Sequence, residues 1–392
     1  MKPEQRYLRN NLKQVRTRLG LSQQDLAGMV GVTRQTIGGV EAGQYSPSAT
    51  VALRLAGALG CRVEDLFWIE EDVPEIEAVL AEPMPVGERL RVTLARVGGR
   101  WVAHPLVGDR AFRTELIPAD GLATWDKGAD RVRIRPLDDP RSFAQTAVLA
   151  GCSPALSLWA RAAERWHPGL RVHWAFANST AALESLGRRQ IHAAGVHLFD
   201  PATGEHNVPF VRKALPQQPA VLVNLGVWDE GLLVRSGNPL GLRTAADLAQ
   251  PGVTLVNREP GAGSRQLLER ALRRERVPFR AVPGFDRVVR SHLELAREVA
   301  AGRADAGVSA AVFAAAFGLG FVSLHQVRYD VVVLKEDLED QVVRQLLDLL
   351  SHRQVRAQLA SLGGYDIGLT GEVVATVEPA ETPRPKSSGQ VP

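Results

Sequence analysis

The chain has 392 residues, 45% of them hydrophobic and 23% charged, with a formal net charge of +4. That is enough apolar material for two or three packed domains, and it excludes a wholly disordered chain. Its two cysteines, Cys61 and Cys152, show neither CxxC nor metal-ligand spacing. This excludes a disulfide framework, points to no metal site, and fits a reducing compartment. No basic segment followed by an apolar signal core opens the chain, and no uninterrupted stretch suffices to span a bilayer. The expected location is therefore the cytoplasm, without a membrane partner.

In chain order, Leu8, Leu12, Val15 and Leu19 recur at 3–4 spacing and predict a packing helix over 8–19, with Lys13, Arg16 and Arg18 left to solvent or a nucleic-acid backbone. Ser22 with Asp25 three residues on forms a capping box for a helix over 23–30, and Gly31 permits the turn after it. Thr33 caps the next helix. Its Ile37 and Val40 share one face, which leaves Arg34, Gln35, Thr36 and Gly39 more exposed. Ser48 caps a fourth helix through Leu59, and 63–67 closes the bundle. Two short helices across a tight turn suit DNA: Gln23 and the first-turn N–H groups can meet phosphate, and the polar side chains of the following helix can reach base edges. Residues 1–64 carry nine Lys or Arg against four acidic residues. The positive excess is concentrated where DNA contact is expected. A small bundle with ordinary caps and a basic face is the plainer alternative.

Residues 8–67 resemble the phage-repressor-like (XRE) helix-turn-helix family. The LSQxxLA element is carried by Leu21–Ala27, VxRxTIxxxExG by Val32–Gly43, and YxPS by Tyr45–Ser48. The resemblance implies a DNA-facing set of Gln23, Gln24, Arg34, Gln35, Thr36, Gly39 and Gln44, with Glu41 organising the turn. It also implies a homodimer or higher homo-oligomer on an approximately palindromic double-stranded operator. Gly38 and Gly39 depart from the family's more usual helix-forming residues.

The sequence divides into a five-helix bundle over 1–70, an acidic linker over 71–83, a small β-containing connector over 84–143, a two-lobed α/β domain over 144–371, and a disordered tail over 372–392. The linker belongs to a stretch, 65–82, with seven acidic residues and no Lys or Arg. In the connector, Leu90, Val92 and Leu94, then Trp101–Val102 and Val132–Ile134, read as short strands, with Trp101 and Trp125 as packing groups. The tail is rich in Glu, Pro and Ser and lacks apolar periodicity.

From Thr146 onward, strand-like runs alternate with helical periods, the pattern of a layered α/β unit. Between a strand at 253–256 and an amphipathic helix lies Asn257–Arg265. Its glycines, Ser264, Arg258 and Arg265 can form an anion cradle, or an ordinary loop whose arginines face water. It is neither a P-loop nor a dinucleotide fingerprint. Two further strand-to-helix corners, Gly151–Pro154 and Asn178–Thr180, present the hydroxyls of Ser153, Ser179 and Thr180. With Ser264 these could hold an oxyanion without a metal. His197 is read as a cleft contact or a satisfied structural histidine, and Tyr329 as facing the ligand or packing at a strand entrance. There is no GxSxG elbow and no HExxH motif, so binding is expected here rather than catalysis.

From Gln145 to about Gly371 the chain resembles cytoplasmic substrate-binding-like domains related to periplasmic binding proteins, especially the molybdate-binding-like group. The elements are Gly151–Pro154, Ile191–Asp200, Asn257–Arg265 and Gly302–Gly307. The resemblance implies a type II, two-lobed α/β fold whose cleft is lined by Ser153, Ser179, Thr180, His197, Arg258, Gly263, Ser264, Arg265 and Tyr329. The implied effector is a small anion such as molybdate, tungstate or another oxyanion. Trp228–Asp229–Glu230 stands where the family commonly has a more basic or amide-rich segment. Together the two resemblances imply a multidomain, ligand-responsive DNA-binding transcriptional regulator that is not an enzyme. The alternatives are a DNA-binding protein whose α/β unit only mediates oligomerisation, and a bifunctional regulator with an enzymatic α/β domain.

Overall fold

Ser22 and Asp25 reciprocate as their spacing requires: the Asp25 amide donates to Ser22 Oγ at 3.1 Å, and the Ser22 amide donates to Asp25 Oδ2 at 2.8 Å. The computed structural model describes residues 8–69, 74–82, 90–112, 116–124 and 131–379, so Trp125 and the tail beyond 379 lie outside the described residues. It divides into two units, Met1–Pro74 and Glu75–Pro392. In the first, α1 (Leu12–Arg18), α2 (Gln23–Val30), α3 (Arg34–Glu41), α4 (Ala49–Leu59) and α5 (Val63–Leu66) enclose a core centred on Leu12, Leu26, Ile37, Leu55 and Leu66. The expected helix from Leu8 begins four residues late. Leu8–Asn10 forms β1, antiparallel to β2 (Phe67–Ile69). The Asn10 side chain stops the helix by accepting from the Leu12 amide at 3.3 Å and donating to Val40 O at 2.8 Å.

The second unit begins with a closed five-stranded barrel of β3 (Ile76–Leu80), β4 (Leu90–Val97), β5 (Arg100–Pro105), β6 (Gly121–Thr124) and β7 (Arg131–Pro136). The expected acidic linker therefore contributes a strand. Ile76 and Ala78 point into the barrel core while Glu77 faces out to Arg131 at 2.7 Å, so acidic and apolar residues alternate across one strand. Trp101 packs against the same core. Closure leaves the barrel no free edge. After α6 (Pro140–Ala144), the barrel residues Ala95, Val97 and Val102 share a core with Val148, Ala150, Leu186 and Ile191 of the following domain.

That domain is built from β8 (Thr146–Gly151), α7 (Ala155–Trp166), β9 (Arg171–Phe176), α8 (Ser179–Gly187), β10 (Ala193–Val196), a small hairpin of β11 (Phe199–Asp200) and β12 (Glu205–His206), α9 (Val208–Ala214) and β13 (Ala220–Val234). It continues with β14 (Asn257–Arg258), α10 (Gly263–Arg274), β15 (Val288–Val289), α11 (His292–Ala300), β16 (Ala306–Ala310), α12 (Ala311–Phe317), β17 (Gly320–Leu334), α13 (Gln341–Asp348), α14 (Arg353–Ala360), β18 (Tyr365–Asp366) and β19 (Val373–Val377). The main sheet runs β16-β13-β17-β10-β8-β9. β13 and β17 are 15 residues each and antiparallel along their whole length, so they pass through both lobes. In lobe one, β8, β9 and β10 join the ends of β13 and β17 nearest Leu222 and Val332. In lobe two, β16 pairs with Glu230–Val234. Irregularities at Asn224/Gly226 and Glu230/Gly231 bend β13 between the lobes. Val373–Val377, expected as the start of the tail, is instead strand β19 on β13, because its β-branched run completes an otherwise open edge. Among the described residues no helix is long and apolar enough to cross a membrane.

Candidate functional site

Two surfaces have the chemistry expected of a site, one in each unit. In the first unit, the Thr33 hydroxyl caps α3 by accepting from the Thr36 amide at 3.1 Å; Gln24 on α2, Arg34 and Gln35 in the first turn of α3, and Gln44 beyond its C-terminal end are exposed. Glu41 holds the helix pair together. Arg16 Nε donates to Glu41 Oε1 at 2.6 Å, Gln23 Nε2 donates to Glu41 Oε2 at 2.9 Å, and Arg16 Nη1 donates to Leu21 O at 2.6 Å. Gln23 is thus fixed at the first turn of α2 by the residue expected to organise the turn.

In the second unit the lobes meet. Loop 259–261 of lobe two rests on the start of α8: Thr180 Oγ1 donates to Gly261 O at 3.1 Å, and Asn178 Nδ2 donates to Glu259 Oε1 at 3.2 Å. Deeper in, Gly263 lies against His197, and a Cβ there would stand 2.4 Å from His197 O. His197 follows β10, and its Nδ1 lies 3.7 Å from Cys152 Sγ and 3.3 Å from Ser179 Oγ. Its Nε2 is 3.5 Å from Glu230 Oε1. Glu230, fully buried at the bulge of β13, accepts a short hydrogen bond from the Ser264 hydroxyl. His292 opens α11 with Nδ1 2.7 Å from Ser309 Oγ. Trp228 and Tyr329 pack beside His197, with ring centroids 5.7 and 5.6 Å from it.

Charge and burial compete throughout this cluster. Burial pulls the His197 imidazole down, but Cys152 and Glu230 facing it outweigh that and drive its pKa up to about 10. Burial likewise pushes Glu230 up, yet His197, the Ser264 hydroxyl and Arg258 hold it below the usual carboxylate range. Burial and the neighbouring charges of Arg258 and His197 hold His292 well below its ordinary value and keep it neutral. Glu230 Oε2, Arg258 Nη1, Trp228 Nε1, His197 Nε2 and the Tyr329 hydroxyl are buried with no hydrogen-bond partner among the described residues. Such orphans in one interior are costly unless something else completes them. Beside the lobe contact, a cavity of about 270 Å³ is lined by Glu82, His104, Arg110, Asn178, Glu259 and Arg290, so the barrel forms one wall of it.

Residues 12–66 match the helix-turn-helix family and residues 160–351 match the PBP superfamily domain. The HTH-type transcriptional regulator YgzD of Bacillus subtilis is 45% identical over 65 residues, which is 17% of this chain and 98% of YgzD. The chain belongs to the helix-turn-helix family. The B. subtilis protein YvgK, of uncharacterised function, is 32% identical over 199 residues, or 51% of this chain, and the match spans 64% of YvgK's own length. An ABC-type phosphate transport receptor from Vibrio cholerae is similar at 14% identity and a TM-score of 0.39, covering 56% of this chain and 98% of the receptor. This helix-turn-helix protein therefore joins a DNA-binding-type bundle to a PBP-like α/β domain through a β-barrel.

Against this geometry the expected contacts of the helix-turn-helix protein fall into groups. Gln24, Arg34, Gln35 and Gln44 are exposed, and Gln23 and Thr36 are half-buried. Gly39 is not on that surface: it is buried under Tyr45, where a Cβ would stand 2.3 Å from Tyr45 Cε1, and the Tyr45 hydroxyl donates to Thr36 O at 2.8 Å. In the cleft, Ser153, Ser179, His197, Arg258, Gly263, Ser264 and Tyr329 are brought together and buried. Arg265 pairs with Glu269 at 3.0 Å and stacks over Phe285, while its Nη1 donates to Arg258 O at 3.1 Å within the same loop. The hydroxyls expected to hold an oxyanion already have intramolecular partners: Ser153 with Tyr365, Ser179 with the His197 amide, Thr180 with Gly261, and Ser264 with Glu230. Glu230, Cys152, Trp228 and His292 were missed as cleft residues. The departure at Trp228–Glu230 was a signal for two of them. Cys152 carried none, because its neighbours in space lie 45 residues or more away in the chain.

Proposed function

We propose that the protein is a ligand-responsive, DNA-binding transcriptional regulator. The observation that carries this reading is the closed interior between the lobes, where Glu230 Oε2, Arg258 Nη1 and Trp228 Nε1 are buried without hydrogen-bond partners among the described residues. A small ligand with donors and acceptors of its own would complete them, and would favour the closed state over an open one by that difference. Arg258 Nη1 and Trp228 Nε1 are free donors and support an anionic ligand, including molybdate, tungstate or another oxyanion. The carboxylate of Glu230 restricts that set, since it repels a fully deprotonated anion and accepts from a protonated one. A homodimer in the cytoplasm would set two α3 helices into successive major grooves of a palindromic operator, with Arg34, Gln35 and Gln24 reading it. Binding rather than catalysis is the activity assigned to the α/β unit. Within it, lobe one and the barrel share a hydrophobic core, so movement of lobe two against both is the motion a ligand would bias.

The test is native mass spectrometry of the full chain purified gently under reducing conditions, followed by thermal denaturation with molybdate, tungstate, sulfate and phosphate. A ligand at a hundred times its Kd stabilises by about 2.7 kcal/mol. A bound small ligand, or a stabilising response abolished by Arg258→Met, supports the reading. Folded protein that carries nothing and responds neither to these oxyanions nor to added zinc refutes it in favour of an oligomerisation platform.

A further inference from the structure

The interior of the cleft holds three side chains whose chemistry is that of cation ligands. Cys152 comes from the corner after β8, His197 from the end of β10 and His292 from the start of α11; all three are buried, and their ligand atoms lie within 4.8 Å of one another. The geometry points to a site for a single thiophilic cation of the zinc class, bound by Cys152 Sγ, His197 Nδ1 and His292 Nε2 and thereby tying lobe one to lobe two. The inference rests on the reading of the closed cleft as the protein's input site.

Four observations support it. The 3.7 Å between Cys152 Sγ and His197 Nδ1 is close to the roughly 3.5 Å that separates sulfur and nitrogen on a tetrahedral zinc with bonds of about 2.3 and 2.0–2.1 Å. His292 has a hydrogen-bonded outer partner, its Nδ1 lying 2.7 Å from Ser309 Oγ, and the carboxylate of Glu230 stands 3.5 Å from His197 Nε2, at ion-pair rather than hydrogen-bond distance. A ligating histidine characteristically has such an arrangement, in which a carboxylate or hydroxyl fixes the ring's tautomer and orientation. Glu230 is itself held by Ser264, so the hydroxyl expected to grip an anion instead anchors the carboxylate behind a ligand. Finally, one thiolate with two imidazoles is a borderline-soft set that selects zinc or copper over magnesium or calcium. The ligand atoms bind the cation in their deprotonated forms, so binding releases to solvent whatever protons they carry. A fourth coordination position is left over for water or a small anion.

Cobalt(II), a spectroscopic stand-in for zinc, tests the site in the full-length protein kept reduced. One equivalent should bind with a thiolate-to-cobalt charge-transfer band. The band should vanish in Cys152→Ser and persist in Cys61→Ser, because the chain has only these two cysteines. Zinc should displace the cobalt stoichiometrically. His292→Gln should weaken cobalt binding at least tenfold while circular dichroism stays native, and Glu230→Gln should weaken it by about 10–100-fold, as loss of an outer partner does. If Cys152→Ser fails to fold, His292→Gln and the single-site stoichiometry of the wild type decide the matter. Absence of the band from folded wild type, or its survival in Cys152→Ser, overturns the assignment. Should molybdate instead bind and shift DNA affinity while cobalt and zinc do neither, the cation site falls and the regulator reading stands. If cobalt binds as described but no cleft ligand changes DNA affinity, the site stands and the regulator reading falls.

Discussion

Replacing Arg16 by Met tests how α2 and α3 are held in register. The Arg16 and Glu41 side chains are 9% and 4% exposed, joined by two hydrogen bonds of 2.6 and 3.2 Å, and Arg16 also donates to Leu21 O. Removing the cation leaves a buried carboxylate with Gln23 as its remaining donor. Breaking such a pair costs 3–5 kcal/mol, and with Gln23 retained the expectation is about 3 kcal/mol. Glu41 titrates below its ordinary range even though burial pushes it up, because Arg16 and Gln23 stabilise the anion. A depressed folded pKa contributes stability above the unfolded value of about 4.3 that is lost as pH falls through the folded pKa. In Arg16→Met the largest influence opposing burial is gone and Gln23 offsets burial only in part, so the deficit against wild type should shrink as pH falls toward about 4. A two-unit chain need not unfold in one step, so the assay is native-state hydrogen exchange at the Ile37 and Val40 amides, where 3 kcal/mol appears as about a hundredfold faster exchange. Arg16→Met/Glu41→Leu should recover to within about 1 kcal/mol of wild type. A loss below about 1 kcal/mol in the single variant, or a double variant no more stable than the single, would refute the reasoning.

Arg34→Ala should cost about 1–3 kcal/mol of sequence-selective DNA binding and leave the second unit folded; unchanged affinity and preference in an anisotropy titration would remove Arg34 from the interface. Ser264→Ala strips Glu230 of its hydroxyl donor and should destabilise the second unit by about 1–3 kcal/mol in thermal unfolding. An unperturbed melt would mean that the carboxylate is satisfied otherwise. Burial, then the neighbouring His192, hold His104 down to about 4, so its neutral form stabilises the fold in full above about pH 6.5 and that contribution is lost as pH falls toward 4. The limiting loss is about 3 kcal/mol at 1.36 kcal/mol per pH unit, and His104→Gln should flatten the slope of second-unit stability over that window.

Local chemistry was the legible part of this chain. The caps at Ser22, Thr33 and Ser48 depend on neighbours three residues away, and all three form as their spacing predicts. The alternation after Thr146 foretold layered α/β architecture for the same reason, since strand and helix periods are short-range signals. Pairings made across long stretches of chain were not legible. Leu8–Asn10 carries helical spacing yet pairs with Phe67–Ile69, and Val373–Val377 looks like a tail until β13 offers it an edge. The acidic stretch hid β3 because alternating Glu with Ile and Ala reads as solvated charge unless a barrel interior takes every second residue. In the cleft, the hydroxyls of Ser153, Ser179 and Ser264 meet partners that sequence spacing did not show. Hydroxyls at helix starts suggest an anion, whereas here Glu230, His197 and Tyr365 arrive from distant strands and loops to occupy them.

Occupation of the cleft should change how the first unit binds DNA. The most direct measurement is the affinity of the full-length protein for an operator selected from random DNA, by fluorescence anisotropy at fixed ionic strength, with and without a saturating cleft ligand, either zinc or an oxyanion. A shift of at least about fivefold, the lower end of typical coupling free energies, is expected, and it should disappear in His292→Gln for zinc or Arg258→Met for an oxyanion. Demonstrated ligand occupancy with operator affinity unchanged would contradict this coupling.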